Sequence, residues 1–142
     1  MTSRPERWAG DRGSASVELV LVTPLLVMVL LTVVALGRLA DARLVVADAA
    51  HQAARAASLA RTETRARSDA QRAARDALHA ARRACAYPKV AVDAGSLTPG
   101  ASTAATVTCT ADLRDLTIIP MPGSVTVTGT AHSPVDRFRS AP

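Results

Sequence analysis

The residues that could perform chemistry in this chain are few and widely spaced. His51, His79 and His132 are scattered along the sequence, whereas a metal site draws on closely spaced ligands that converge. Aspartate and glutamate occur singly, and no glycine-rich phosphate-binding loop is present. Because an active site requires convergent titratable groups, the sequence predicts a protein that is not an enzyme, with no catalytic residue, cofactor, bound metal or small-molecule substrate.

The two cysteines, Cys85 and Cys109, are too far apart in the sequence for the close pairs that bind zinc. If this part of the chain faces an oxidising compartment, a single disulfide is the natural interpretation. It would stabilise the fold by about 3 kcal/mol in the loop-closure account. The alternative is a pair of buried free thiols.

One carboxylate has an unusual position. Glu18 directly precedes an apolar run without charge, Leu19 to Leu36, and follows Gly13 by five residues. A carboxylate at the centre of a membrane span costs about 2.5–3.5 kcal/mol on insertion scales, and less near an interface. Such residues tend to face a partner and mark function. The alternative is a hydrated carboxylate at headgroup depth that marks only the membrane boundary.

The apolar run has about the ~20 residues that a helix needs to cross a bilayer. Pro24 frees the carbonyl of Val20 and predicts a bend there. Arginines are slightly in excess on the N-terminal side, with Arg4, Arg7 and Arg12 before the run and Arg38 and Arg43 after it. The positive-inside rule therefore predicts a single-pass cell-membrane protein with a cytoplasmic N-terminus and an extracytoplasmic C-terminal domain.

Helical periodicity continues beyond the run. One helix is predicted from about 15 to 60, then a break within 61–67 and a second helix ending near Cys85; an unbroken helix to Ala84 is the alternative. Ser68 and Gln71 form a capping-box pattern for the second helix. A narrow face of Val46 and several alanines suits a partner helix better than a globular core.

Beyond residue 88 the period changes to two, which predicts strands at 89–93, 103–112 and 124–132. The apolar segment 113–123 is expected to fold back on the sheet, or else to form a docking surface. The fold class is α+β, a long N-terminal transmembrane helix followed by a small three-stranded antiparallel sheet. The predicted divisions are a leader-like tail (1–13), the transmembrane helix (14–37), a helical stalk (38–84) and a small β ectodomain (85–142).

The net charge of +5 does not indicate nucleic-acid binding. The arginines alternate with alanine and acidic residues and form no block, and aromatic residues make up only 2% of the chain. Base stacking therefore has no aromatic partners to draw on. No nucleic-acid partner is predicted.

The segment Gly13-Ser14-Ala15-Ser16-Val17-Glu18 resembles the processing site of type IV prepilin-like proteins. In those proteins a membrane aspartyl protease, the prepilin peptidase, cuts after the glycine, and the fifth residue of the mature chain is glutamate. The resemblance implies cleavage between Gly13 and Ser14. It also implies that Glu18 pairs with the N-terminal amine of an adjacent subunit in a low-dielectric environment.

A wider set of features is similar to the TadE-like family, pseudopilin-like proteins of the tight-adherence (Flp) pilus and secretion machinery. These features are the Gly13 to Glu18 segment, the apolar run with Thr23-Pro24-Leu25-Leu26, Gly37-Arg38-Leu39, and the segment from Ala49 to Ala57. The resemblance implies a non-catalytic minor pilin or pseudopilin. Its implied partners are the membrane, other pilin-like subunits, the pilus assembly platform and a prepilin peptidase.

Two other functions remain open at this point. The chain could be a secreted binding protein whose residues 1–42 are a signal peptide, since Ala40-Asp41-Ala42 offers an A-x-A site, although the apolar run exceeds the usual 7–15 residues. It could also be a single-pass scaffold of another envelope complex.

Overall fold

The computed structural model describes residues 12–81, 85, 88–95, 97–112 and 123–138. In these ranges the chain forms two helices and three strands, α1 (Arg12–Leu59), α2 (Glu63–Ala80), β1 (Lys89–Asp93), β2 (Ser102–Asp112) and β3 (Ser124–Pro134). The chain divides into two compact units, residues 1–36 and 37–142. The predicted α+β class is confirmed. The predicted apolar segment 113–123 lies, apart from Gly123, outside the described residues.

The two helices are separated by a short break, as predicted, and an unbroken helix to Ala84 is excluded. The break comes at residues 60–62, where the Thr62 side chain caps α2 by accepting a hydrogen bond from the Arg65 amide. The capping box predicted at Ser68 is wrong. Ser68 lies inside α2 and donates to the carbonyl of Arg65 at 3.1 Å. The helix has to begin before Ser68 because its buried stripe already starts at Ala66.

The three strands form one antiparallel sheet in the order β1-β2-β3. Alternation places Ala105, Val107 and Cys109 of β2 on the buried face, with Val127 and Ala131 of β3. The opposite face carries threonines in register across β2 and β3. Their hydroxyls pair across the strands, with 3.1 Å between Thr106 and Thr130. The predicted strands, and the division into an apolar and a threonine-lined face, are confirmed.

The C-terminal part of α1 packs on the buried face of the sheet. The fully buried Thr103 hydroxyl of β2 donates to the carbonyl of Ala54 at 3.2 Å, and Ser133 of β3 donates to the Ser58 hydroxyl at 3.1 Å. A residue on β3, Gly129, lies against the backbone of α1 at Val46. These contacts hold helix and sheet close together within the unit formed by residues 37–142.

The alanine face of α1 therefore has a different role from the predicted one. Its members are buried within this chain, in one cluster with the alanines of α2 and the apolar face of the sheet. The buried members of the alanine face are Val46, Ala49, Ala50, Ala53, Ala54 and Ala57. The prediction that this face suits a partner helix better than a core is wrong. Small side chains let two helices and a sheet approach closely, and the sequence does not show which of these elements covers them.

Candidate functional site

The N-terminal part of α1 is apolar on every side. Leu19 and Leu30 are 65% and 62% exposed, and a window of 18 residues here has a mean hydropathy of 2.9 with none of it buried. A helix that is hydrophobic all round belongs either in a protein core or in a membrane. Since this segment has no core around it in the described chain, it is by length and composition a candidate membrane span.

The hydroxyl groups of this segment are satisfied within the helix. The hydroxyls of Thr23 and Thr32 donate to the carbonyls four residues earlier, Leu19 at 2.6 Å and Met28 at 2.8 Å, as threonines in apolar helices commonly do. The helix runs through Pro24. Pro24 has no amide N–H, so the carbonyl of Val20 loses its helical partner. The Thr23 hydroxyl does not replace that partner, because it binds the carbonyl of Leu19.

Glu18 is an exposed residue at the start of the apolar segment. The next charged residue along the chain is Arg38, which at 1.5 Å per residue lies about 30 Å further along the helix. That separation matches the hydrocarbon thickness of a bilayer, roughly 30 Å. Glu18 and Arg38 therefore delimit a stretch of helix long enough to cross the membrane.

The residues of the predicted processing site belong to the same helix. α1 begins at Arg12, so Gly13 and Ser14 lie in its first turn. Glu18 follows Ser14 by four residues in the same helix. The structure brings these three positions together at one end of α1, and cleavage and subunit pairing remain predictions.

The two cysteines form a disulfide, as predicted, with their Cα atoms 5.6 Å apart. Cys109 is a buried residue of β2, and Cys85 lies between α2 and β1. The bridge therefore ties the chain that follows the second helix to the central strand of the sheet. The alternative of two free thiols is excluded.

The three histidines lie on three separate elements, His51 on α1, His79 on α2 and His132 on β3, and all are exposed. Among the residues that the structure describes, no three histidine, cysteine, aspartate or glutamate side chains are grouped so as to hold a metal ion.

The sequence pattern did not identify Gly129, the residue that positions β3 against α1. Gly129 falls on the apolar side of the alternation in β3, yet it is where the strand meets α1. A signal for it was present, because an isolated glycine inside a strand pattern often marks the close approach of another backbone.

The chain thus combines an apolar helical segment that is a candidate membrane span with an α+β domain. In a comparison with known families, residues 13–55 match the model of the TadE-like protein family. The match starts at Gly13, contains Glu18 and the whole apolar segment, and ends within α1 at Arg55. The resemblance predicted from the sequence is confirmed over this segment, and it indicates a component related to the Tad pilus. Comparison with curated proteins and with solved structures gives no match.

Proposed function

We propose that this protein is a membrane-anchored minor pilin or pseudopilin-like component of a Tad (Flp) pilus assembly or secretion system, with a structural and non-catalytic role. The observation that carries the proposal is the position of the TadE-like match relative to the apolar segment. The match begins at Gly13, and the apolar segment begins six residues later at Leu19, directly after Glu18.

Processing between Gly13 and Ser14 would leave Glu18 as the fifth residue of the mature chain. The new amine would be a positive charge at the N-terminus of α1, where the helix dipole is positive as well, so a nearby carboxylate is favoured. In a low-dielectric setting, the loss of one partner of such a charge pair leaves the other charge uncompensated, which is strongly destabilising. We propose that Glu18 pairs with the amine of a neighbouring pilin-like subunit and so sets the depth of one subunit relative to the next.

The proposed topology follows from the arginines on either side of the apolar segment. The N-terminus would be cytoplasmic, where residues 1–13 reach a prepilin peptidase, and the domain formed after Arg38 would be extracytoplasmic. The disulfide between Cys85 and Cys109 supports this placement, because disulfides persist in oxidising compartments. The other proposed partners are further pilin-like subunits and the pilus assembly platform.

The secreted alternative requires cleavage after Ala42. Residues 40–42 lie within an unbroken stretch of α1, and Val46, only four residues further on, belongs to the buried core. Both observations favour an anchored chain over a secreted one. They also favour treating residues 38–59 as part of the folded domain.

Intact-mass measurement of the protein extracted from membranes tests the proposal. We expect the loss of residues 1–13, dependent on the prepilin peptidase and abolished by Gly13→Leu. Gly10→Leu, which changes a second glycine of the N-terminal tail, is the matched control and should leave processing intact. Loss of residues 1–42 would instead establish the secreted alternative, and an unprocessed chain would favour the scaffold.

A further inference from the structure

α1 and β3 run side by side within the unit formed by residues 37–142, and two contacts fix their relative direction. Gly129 of β3 lies against the backbone of α1 at Val46. Further along the strand, Ser133 is paired with Thr103 of β2, whose hydroxyl donates to the carbonyl of Ala54. In each element the second contact comes later in the chain than the first. Helix and strand therefore point in the same direction.

The distances along the two elements agree with a nearly parallel arrangement. From Val46 to Ala54 the helix rises by about 12 Å, and from Gly129 to Ser133 the strand rises by about 13 Å. Ser58, one turn beyond Ala54, reaches the same strand position, where its hydroxyl accepts from that of Ser133, because helical side chains lean towards the N-terminus of their helix.

The same rises locate the other end of the strand. β3 begins at Ser124, which lies about 17 Å back from Gly129 along the strand. Along α1, Gly37 lies about 14 Å back from Val46. The start of β3 is therefore level with Gly37, to within about one turn of helix. Gly37 is the first residue of this unit, and the apolar segment ends one residue before it.

We propose that the end of the sheet at which β2 ends and β3 begins rests on the surface of the lipid bilayer. The proposal rests on the membrane anchoring proposed above, because it takes the level of Gly37 as the membrane surface. It makes the bilayer surface a partner of the folded domain as well. We name this end the membrane-side end and define it by Leu39 of α1, Thr110 of β2, and Ser124, Val125 and Thr126 of β3.

The side chains of the membrane-side end suit an interface with lipid headgroups. Thr110, Ser124 and Thr126 are exposed. Leu39 and Val125 are half-buried apolar residues that pack against the core. None of the five carries a charge, so none has to give up the hydration of an ion, which is the most costly group to remove from water.

The exposed charges next to this end are basic. β1 begins at Lys89, whose partner in β2, Thr108, is two residues from Thr110. Asp41, an acid of α1 in this region, is half-buried and engaged with its own chain. Anionic headgroups attract Lys and Arg side chains near the membrane surface. On this part of α1 and β1, the exposed charged residues that the structure describes are Arg38, Arg43 and Lys89.

The sequence between the two strand ends agrees with this placement. Residues 113–122 lie outside the described residues, and their sequence includes Leu113, Leu116, Ile118, Ile119 and Met121. Two roles are compatible with this composition, folding back on the sheet and docking to an apolar partner. Since β2 ends and β3 begins at the level of the membrane surface, lipid is the apolar partner within reach.

The rival arrangement is a domain that α1 holds clear of the bilayer. It requires a length of helix between the end of the apolar segment at Leu36 and the level at which the sheet begins. β3 extends back from its contact with Val46 over about the whole length of helix down to Gly37. α1 therefore supplies no such spacer.

Fluorescence quenching by labelled lipids tests the proposal. The full chain, with its disulfide intact, receives one additional cysteine that carries a nitrobenzoxadiazole label. It is reconstituted into vesicles of phosphatidylcholine and phosphatidylglycerol with a nitroxide on the headgroups of both leaflets. Leu36→Cys, at the end of the apolar segment, gives the reference value. We expect quenching of Ser124→Cys and Thr126→Cys to be close to that of Leu36→Cys, and several-fold above that of Ser102→Cys at the opposite end of the sheet.

The order of quenching along the sheet is the first criterion. Thr128→Cys lies between the two ends on the same exposed face and should give an intermediate value. Equal quenching of Ser124→Cys and Ser102→Cys, or stronger quenching of Ser102→Cys, would overturn the proposal.

Iodide, a quencher dissolved in water, separates contact with lipid from mere nearness to it. With iodide on both sides of the vesicles, we expect quenching of Ser124→Cys to be several-fold weaker than that of Ser102→Cys. Equal quenching by iodide would place the label at Ser124 in water and contradict the contact.

Leu36→Cys also tells the failure of this proposal from the failure of the proposed function. If lipid nitroxides quench Leu36→Cys and not Ser124→Cys, the chain is anchored and only the placement of the domain is wrong. If they quench neither label, the chain is not in the membrane, which contradicts both the placement and the proposed function.

Discussion

A Cβ atom placed on Gly129 of β3 would lie 2.9 Å from the carbonyl oxygen of Val46 on α1, so strand and helix pack backbone against backbone. Two main-chain atoms of Ala47 would lie 3.0 Å from the same position. Glycine in a strand interior normally weakens the strand. Here it allows the sheet to close over the alanine face of α1, and the C-terminal part of α1 becomes part of the folded domain.

We predict that Gly129→Ala destabilises this domain by about 1–3 kcal/mol, the usual cost of overpacking a close contact. The added methyl group meets main-chain atoms, which cannot rotate away, so helix and strand must separate. Pulse proteolysis of the detergent-extracted full chain across a urea series measures the change.

The matched control is Gly37→Ala, because nothing lies within 4 Å of the Cβ position at Gly37. Alanine in a helix interior is favoured over glycine by about 0.5–1 kcal/mol, so this variant should be as stable as the native chain or more stable. If the two variants lost equal stability, the close packing of β3 on α1 would not be what Gly129 provides.

The strands and the apolar segment were predictable from the sequence because each depends on a local pattern. Alternation of valine and threonine sets the two faces of β3 whatever packs on them, and a long uncharged run has few outcomes other than a membrane helix. The disulfide was predictable in outline since the chain has only two cysteines.

What covers the alanine face of α1 was not predictable, because alanine buries little area and tolerates a helix or a sheet as neighbour. The choice is made by residues distant in the sequence, such as Thr103, which donates to the carbonyl of Ala54, and Gly129. The start of α2 was misplaced for a related reason. Ser68 fits a capping pattern, but the buried stripe that begins at Ala66 requires the helix to start earlier.

The cap of α2 gives a second prediction. Thr62→Ala removes the oxygen that accepts from the Arg65 amide and should cost about 1 kcal/mol of stability. Ser68→Ala should cost nothing or stabilise slightly, since alanine is the better helix former at an interior position. Urea midpoints of the two variants, measured side by side, check this. A greater loss for Ser68→Ala than for Thr62→Ala would contradict the observed start of the helix.

The disulfide gives a third prediction. Cys85→Ser with Cys109→Ser should destabilise the domain by about 3 kcal/mol in the loop-closure account, and Cys85→Ser alone should also destabilise it. Neither change touches the apolar segment, so the amount of protein in the membrane fraction should not change. Protease resistance with and without reductant is the measurement.

Reductant should bring the native chain to the level of the double variant and have no effect on the double variant itself. Equal resistance of the native chain under both conditions would show that the bridge contributes nothing to the stability of the domain.

The last prediction concerns Glu18. Glu18→Ala and Glu18→Gln both remove the charge, and Glu18→Gln keeps the shape of the side chain. Insertion should be unchanged, because removing a carboxylate from the edge of an apolar helix lowers the cost of burial. A lost charge-assisted contact of about 1.5–3 kcal/mol corresponds to roughly ten- to hundredfold weaker pairing between subunits.

We therefore expect both variants to remain in the membrane fraction while pilus assembly and adherence fall sharply. Glu63→Gln, which changes an exposed acid of α2, is the matched control and should leave assembly intact. The two Glu18 variants distinguish the charge of the side chain from its shape. An equal loss of pilus assembly in both variants would assign the effect to the carboxylate charge. Assembly at the native level in both would mean that Glu18 marks only the edge of the membrane, because a charge that pairs with a neighbouring amine cannot be removed without weakening the contact.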